Sequence, residues 1–89
     1  MPYIKQEQRD RLDPSIYLLI KFLQEDPENL DGNFNYAVTR LLKTLYSPSK
    51  YSTYARAMGA LSCIQQEFYR KDIAPYEQIK ESENGKIPG

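Results

Sequence analysis

The chain has 89 residues, with 12 Lys plus Arg against 12 Asp plus Glu, so its formal net charge is zero. A chain of this length makes one domain with a modest core, and its charge supplies no overall field to attract nucleic acid or an acidic membrane surface. It contains no histidine, which excludes histidine-activated nucleophiles and histidine-ligated zinc sites.

Targeting features are absent from the sequence. Cys63 is the single cysteine, which excludes an intrachain disulfide and fits a reducing compartment. Met1 is followed at once by polar and charged residues, so no secretory signal peptide is expected. The longest nearly apolar run, residues 16–23, is interrupted by Lys21 and is too short for a bilayer core of about 30 Å. We therefore expect a cytoplasmic protein that does not enter the membrane.

The N-terminal part of the chain predicts an arm or short helix followed by a longer helix. Residues 1–12 are largely polar and charged and suit either form. Asp13 and Pro14 then mark a helix start, with Asp13 as the N-cap and Pro14 in the first helical position. Because Asp26 precedes a proline, which disfavours α geometry, this first helix is expected over about 14–25.

The first predicted helix carries two apolar strips. Leu18 and Phe22, four residues apart, lie beside the main stripe and form a second strip that also needs cover. The main stripe, expected to face the core, consists of Ile16, Leu19, Ile20 and Leu23.

A central helix is predicted over 33–46, with Asp31 or Asn33 as its N-cap. Its apolar residues recur at helical spacing and are expected at the centre of the core. On that basis Leu41→Ala is expected to cost roughly 2–5 kcal/mol, as a buried large-to-small change. The stripe consists of Phe34, Ala37, Val38, Leu41 and Leu45.

A third helix is predicted over 52–73, followed by a helical extension. Pro75 removes a backbone hydrogen bond and is expected to kink or break the helix. The Asn84-Gly85 pair should end the extension, leaving 84–89 as a frayed tail. Together these elements predict a single all-α domain over 1–89, organised as a small three-helix bundle. The core stripe of the third helix consists of Tyr54, Ala57, Met58, Leu61, Ile64 and Phe68.

Small residues form a second stripe on the third helix, at Ala55, Gly59 and Cys63. Glycine inside a helix costs about 1 kcal/mol relative to alanine, so a close helix–helix contact is expected to compensate. A three-helix monomer offers limited cover for this stripe and for Leu18 and Phe22, although the N-terminal arm or the C-terminal tail can supply some. Our leading hypothesis is a non-enzymatic interaction module that binds itself, or another protein, through these five residues.

The alternative hypothesis is a nucleic-acid accessory protein that uses the segment 33–66. This segment contains no acidic residue, and its cations alternate with tyrosines. Cations bind phosphates and aromatic rings stack on bases. The more ordinary explanation, a solvated helix face with tyrosines at the core rim, is favoured because few cations are present. The candidate nucleic-acid face consists of Arg40, Lys43, Lys50, Arg56, Tyr36 and Tyr51.

Other candidates for chemistry are weak. The acidic loop before the central helix resembles part of a calcium loop, but Pro27 and Val38 would occupy its first and last ligand positions and have no side-chain oxygen. Glu67 is the best carboxylate for catalysis, yet Arg70 three residues later predicts an ion pair. Cys63 has no histidine to activate it. We expect no enzyme activity, no cofactor and no metal site.

Five strings carry a resemblance to a known family: MPYIKQE at 1–7, DGNFNY at 31–36, TRLL at 39–42, EFYR at 67–70 and APYE at 74–77. In this order and spacing they resemble a small family of uncharacterised helical proteins found in prokaryotes and their viruses. The resemblance covers nearly the whole chain. It implies an intact natural helical domain, and it implies no activity, cofactor or catalytic residue.

Overall fold

A computed structural model describes residues 2–89, which form helices and no strand, so the predicted all-α class is confirmed. Packing divides the chain into two units, one ending at Ala57 and the other formed by Met58–Gly89. The elements in order are α1 (Gln6–Gln24), a 3-10 turn (Pro27–Asn29), α2 (Leu30–Leu45), α3 (Tyr51–Phe68), a π-helical segment (Tyr69–Ile73) and α4 (Ala74–Asn84).

The first helix begins earlier than the sequence predicts. α1 starts at Gln6, so Pro14 lies inside it and Asp13 is not its N-cap. The predicted start at Pro14 was therefore wrong, and of the two forms considered for 1–12 the helical one holds from Gln6 onward. Proline is common in a first helical turn because its missing N–H has no intrahelical partner there, but this preference does not prevent a helix from continuing through it.

Polar contacts at the N-terminus explain where α1 begins. The backbone N–H of Lys5 donates to Oε1 of Gln8 at 3.0 Å. The side-chain Nε of Arg9 donates to the carbonyl of Ile4 at 2.9 Å. These two bonds fix the chain just before the first turn, and the first of them gives the backbone N–H of the N-cap residue a partner.

Asp26 organises the turn between α1 and α2. Nδ2 of Asn29 donates to its two carboxylate oxygens at 3.0 and 3.1 Å, and Nδ2 of Asn33 donates to Oδ2 at 3.1 Å. With the turn held in this way, α2 begins at Leu30, before the predicted start at residue 33. The N-cap position belongs to Asn29, so the prediction of Asp31 or Asn33 as N-cap was wrong.

The apolar stripe predicted at the centre of the core is largely exposed. On α2, Val38 and Ala37 are half-buried, whereas Phe34, Leu41 and Leu45 expose 57%, 51% and 70% of their surface. The expectation that Leu41 is a buried core residue was therefore wrong for the single chain. Helical spacing identifies residues that share a face, but it does not show whether the chain itself covers that face.

Very few side chains are buried anywhere in the described chain. Only Thr53 and Ala57, both on α3, are buried, with 3% and 9% of their surface exposed. The chain exposes 8322 Å². A folded monomer of this length exposes about 5,400 Å² by the size scaling of globular proteins. The single chain therefore leaves much more of its surface exposed than a domain of its size normally does.

The chain remains helical through Pro75. After α3 it winds as a π-helix over Tyr69–Ile73, where the N–H of Ala74 donates to the carbonyl of Tyr69 five residues earlier. Pro75 then lies in the first turn of α4. A proline ring crowds the carbonyl four residues before it in a regular α-helix, so a wider turn directly upstream accommodates it.

The C-terminal stop is where the sequence predicts it. α4 ends at Asn84, and Gly85 follows with φ of 92°, a conformation that side-chain-bearing residues rarely adopt. Residues 85–89 form no regular secondary structure.

Candidate interaction site

A groove between α1 and α2, in the first unit, has a mainly apolar lining. Its volume is about 390 Å³. Leu23 and Ala37 on its floor are half-buried, while Phe22 and Tyr36 at its rims are more than half exposed. An open apolar floor with aromatic rims suits a segment of another protein chain. The lining residues are Leu19, Phe22, Leu23, Asn33, Tyr36, Ala37 and Arg40.

Arg40 is held on the α2 side of this groove by Tyr36. Its Nη1 donates to the tyrosine hydroxyl at 2.8 Å, and its guanidinium carbon lies 5.7 Å from the ring centroid. The two residues are one helical turn apart, so the helix itself brings them together. Tyr36 offers no negative charge, so the positive charge of Arg40 stays unneutralised at the groove.

The cations of the segment 33–66 have no acidic partner within the part of the chain that the structure describes. Both ion pairs there, Arg70 with Glu67 and Lys80 with Glu83, join residues three positions apart in the second unit. Arg56 also contacts a ring, since its guanidinium carbon lies 5.7 Å from the Tyr46 ring centroid. The cations Arg40, Lys43, Lys50 and Arg56 therefore have no carboxylate within ion-pair distance among residues 2–89.

The residues of the predicted helix–helix interface are all exposed. Phe22 lines the groove, whereas Leu18 is exposed outside its lining. Ala55, Gly59 and Cys63 are all exposed on α3. A Cβ atom added at Gly59 meets nothing within 4 Å, so no close helix contact compensates for this glycine inside the single chain.

Two residues of the predicted nucleic-acid face line the groove. Tyr36 and Arg40 lie side by side at the groove, while Lys43, Lys50 and Tyr51 are exposed, with Tyr51 at 88%. The two predicted surfaces thus share one site, because Phe22 of the first lies across the groove from Tyr36 and Arg40 of the second. Sequence reasoning assigned the remaining apolar residues of the groove to the core, and no local signal separates a core residue from a groove residue.

Catalytic and metal chemistry finds little support in the local geometry. Glu67 forms the ion pair with Arg70 that its spacing predicts. Within residues 2–89, no three or more His, Cys, Asp or Glu side chains are grouped closely enough to hold a metal ion. None of the helices in this range is both long enough and apolar enough to cross a membrane.

The chain belongs to the family DUF6899, a domain of unknown function, whose family model matches residues 1–87. No curated protein and no solved structure matches it. This match confirms that the chain resembles an uncharacterised family over nearly its whole length. Because the family description states no activity, function has to be argued from the surfaces themselves.

Gly59 provides a test of whether the small-residue stripe is a contact. Gly59→Ala is expected to stabilise the chain by about 1 kcal/mol, because alanine is the better helix former and its Cβ enters open space. Gly59→Leu keeps the helix but blocks close approach of another helix, so it is expected to weaken self-association. Urea unfolding measures the first effect and sedimentation velocity the second. A leucine variant that associates as tightly as the alanine variant would remove Gly59 from any interface.

Proposed function

We propose that this protein is a non-enzymatic helical interaction module that associates with a second copy of itself. Its helices would complete a bundle core only in that assembly. The observation that carries the proposal is the near absence of buried side chains, which is limited to Thr53 and Ala57 among the described residues. A chain that folds alone needs more buried apolar surface than this to offset its loss of conformational entropy.

The excess exposed area is large enough for an obligate homodimer interface. Each chain exposes about 2,900 Å² more than the size scaling gives for a monomer of its length, which is about 5,800 Å² for two chains. Obligate homodimers bury about 2,000–5,000 Å² or more in total, at interfaces that resemble a domain core cut in half. The half-exposed apolar faces of α1 and α2 supply surface of this kind, including Leu18, Phe34 and Leu45.

The second unit, considered alone, also supports association with another chain. Met58–Gly89 has fewer than the roughly 40 residues below which chains rarely fold without additional support. Its side-chain bonds, such as that from the Tyr69 hydroxyl to Oε2 of Glu77 at 3.3 Å, are local along the chain. Ile64 and Phe68 remain more than half exposed. Contacts with another chain would supply the missing burial.

The remaining parts of the proposal rest on the sequence and local chemistry. The chain has no histidine, and its best catalytic carboxylate, Glu67, already pairs with Arg70. We place the protein in the cytoplasm, where an exposed lone thiol such as that of Cys63 stays reduced. An origin in prokaryotes or their viruses, which the resemblance implies, belongs to the same proposal.

Light scattering coupled to gel filtration tests the self-association. The molar mass is expected to be twice that of the chain at micromolar concentration and to fall toward the chain mass on dilution. A molar mass equal to that of one chain at every concentration, with full helicity by circular dichroism, would contradict the proposal.

Nucleic-acid binding is the second candidate function. The observation in its favour is that Lys43 and Lys50 are exposed with no ion-pair partner among residues 2–89, and that Lys50 directly precedes the nearly fully exposed Tyr51. Against it, Arg40 already contacts the ring of Tyr36, so this ring and this cation are occupied by each other. Stacking on a base would require the pair to separate.

Fluorescence anisotropy with labelled single-stranded and duplex oligonucleotides distinguishes this candidate. For a self-associating module we expect flat titrations at both low and moderate salt. Binding that weakens steeply with salt, and is lost in Arg40→Gln/Lys43→Gln, would favour nucleic acid instead, because phosphate contacts release counterions. Lys71→Gln/Lys86→Gln, which removes the same charge elsewhere, is the matched control.

A further inference from the structure

Asn84 is the only asparagine of the chain that precedes a glycine, and it is the last residue of α4. This pair of residues permits an intramolecular reaction, because the backbone nitrogen of Gly85 can attack the side-chain carbonyl carbon of Asn84 and close a five-membered succinimide ring. Glycine has no side chain to shield that nitrogen, and it adopts the backbone conformations that ring closure needs. The pair that ends the helix is therefore also chemically reactive.

The structure leaves the side chain of Asn84 open to this reaction. Asn84 is exposed, and no hydrogen bond within residues 2–89 holds its amide. By contrast, the amides of Asn29 and Asn33 donate to the carboxylate of Asp26 at 3.0 and 3.1 Å. Both are also followed by residues with large side chains, which shield the attacking nitrogen. Asn84 is therefore more open to ring closure than these two asparagines.

One backbone hydrogen bond opposes the reaction. The N–H of Gly85 donates to the carbonyl of Glu81 at 2.8 Å. Ring closure requires the ψ angle of Asn84 to leave its α-helical value, which breaks this bond. The bond is the last one of α4, and residues 85–89 beyond it form no regular secondary structure. Because helix ends fray, opening of the final turn alone gives access to the reactive conformation.

We propose that Asn84-Gly85 is a self-modification site, at which the chain converts its own asparagine to aspartate or isoaspartate. The Gly85 nitrogen bonds to the side-chain carbonyl carbon of Asn84 and gives up its proton, and the side-chain nitrogen leaves as ammonia. Water then adds to one ring carbonyl and breaks its bond to the ring nitrogen. Opening at the side-chain carbonyl gives aspartate, and opening at the main-chain carbonyl gives isoaspartate. The two steps together consume one water and release one ammonia, with no oxidant or cofactor.

Either product changes the end of α4. The new carboxylate lies at the C-terminus of a helix that has no basic residue in its last turn and already carries Glu81 and Glu83 there. Negative charge is unfavourable at this position, because the helix dipole places partial negative charge at the C-terminus. Isoaspartate also adds one methylene to the main chain before Gly85, which displaces the Gly85 N–H from Glu81. We expect the final turn of α4 to unwind in the modified chain, whether or not the protein associates with itself.

Incubation of the purified protein at neutral pH and physiological temperature, followed by peptide mapping with mass spectrometry, tests the site. The peptide that contains Asn84 is expected to gain the mass of O exchanged for NH, while the peptides that contain Asn29 and Asn33 stay unchanged. Asn84→Gln keeps the amide but would have to close a less favourable six-membered ring, so it is expected to lose the mass gain over the same incubation. The synthetic peptide ESENGKIPG, residues 81–89, reports the reaction without the helix.

Two results would overturn the assignment of the site. The first is no mass gain at Asn84 during an incubation that converts most of the synthetic peptide, which would show that the bond from Gly85 to Glu81 protects the chain. The second is an equal mass gain at Asn29 or Asn33, which would show that the end of α4 is no more reactive than the helical asparagines.

Amide hydrogen exchange measures the effect on α4. In the incubated protein, protection of the Gly85 N–H is expected to be lost in the modified chains. It is expected to persist in Asn84→Gln incubated alongside, which controls for other effects of ageing. Unchanged protection of the Gly85 N–H in modified chains would show that the final turn survives, and it would contradict the proposed effect of the modification on the helix.

Discussion

Burial of apolar surface has to offset the entropy that a chain loses on folding, and it contributes only about 25 cal/mol per Å². In this protein the constraint acts on a small set of helices whose apolar residues face outward in the single chain. Phe34, Leu41 and Leu45 share one face of α2 and are each more than half exposed. A second copy that covers such faces would allow the helices to act as one core, so assembly and folding are expected to be a single process.

Local polar interactions determine where the helices begin, and they do so independently of that core. The Asp26 carboxylate accepts bonds from Asn29 and Asn33 and thereby fixes the entry to α2. Bonds at Lys5 start α1, and the π turn before Pro75 lets the chain continue into α4. Secondary structure in this protein is therefore specified by short-range contacts, and the surplus of exposed apolar residues is left for contacts over a longer range.

The sequence predicts the features that depend on short-range contacts, and it does not predict those that depend on packing between helices. The helix class and the stop at Asn84-Gly85 depend on local chemistry and were predicted correctly. The start of α1 was wrong because Pro14 is also compatible with a helix interior. The groove was not predicted because Phe22 and Arg40, assigned to two separate surfaces, meet only through the pairing of α1 with α2. Exposure of the α2 stripe was not predicted because helical spacing shows which residues share a face and not whether the chain covers that face.

In the proposed assembly the chain folds only as it associates. The urea midpoint, measured at several protein concentrations, tests this coupling most directly. If the chain folds as a dimer, each tenfold increase in concentration adds about 1.4 kcal/mol to the apparent stability, so the midpoint rises steadily. A midpoint that is the same from low micromolar to near-millimolar protein would show that the single chain folds without a partner, and it would contradict the account.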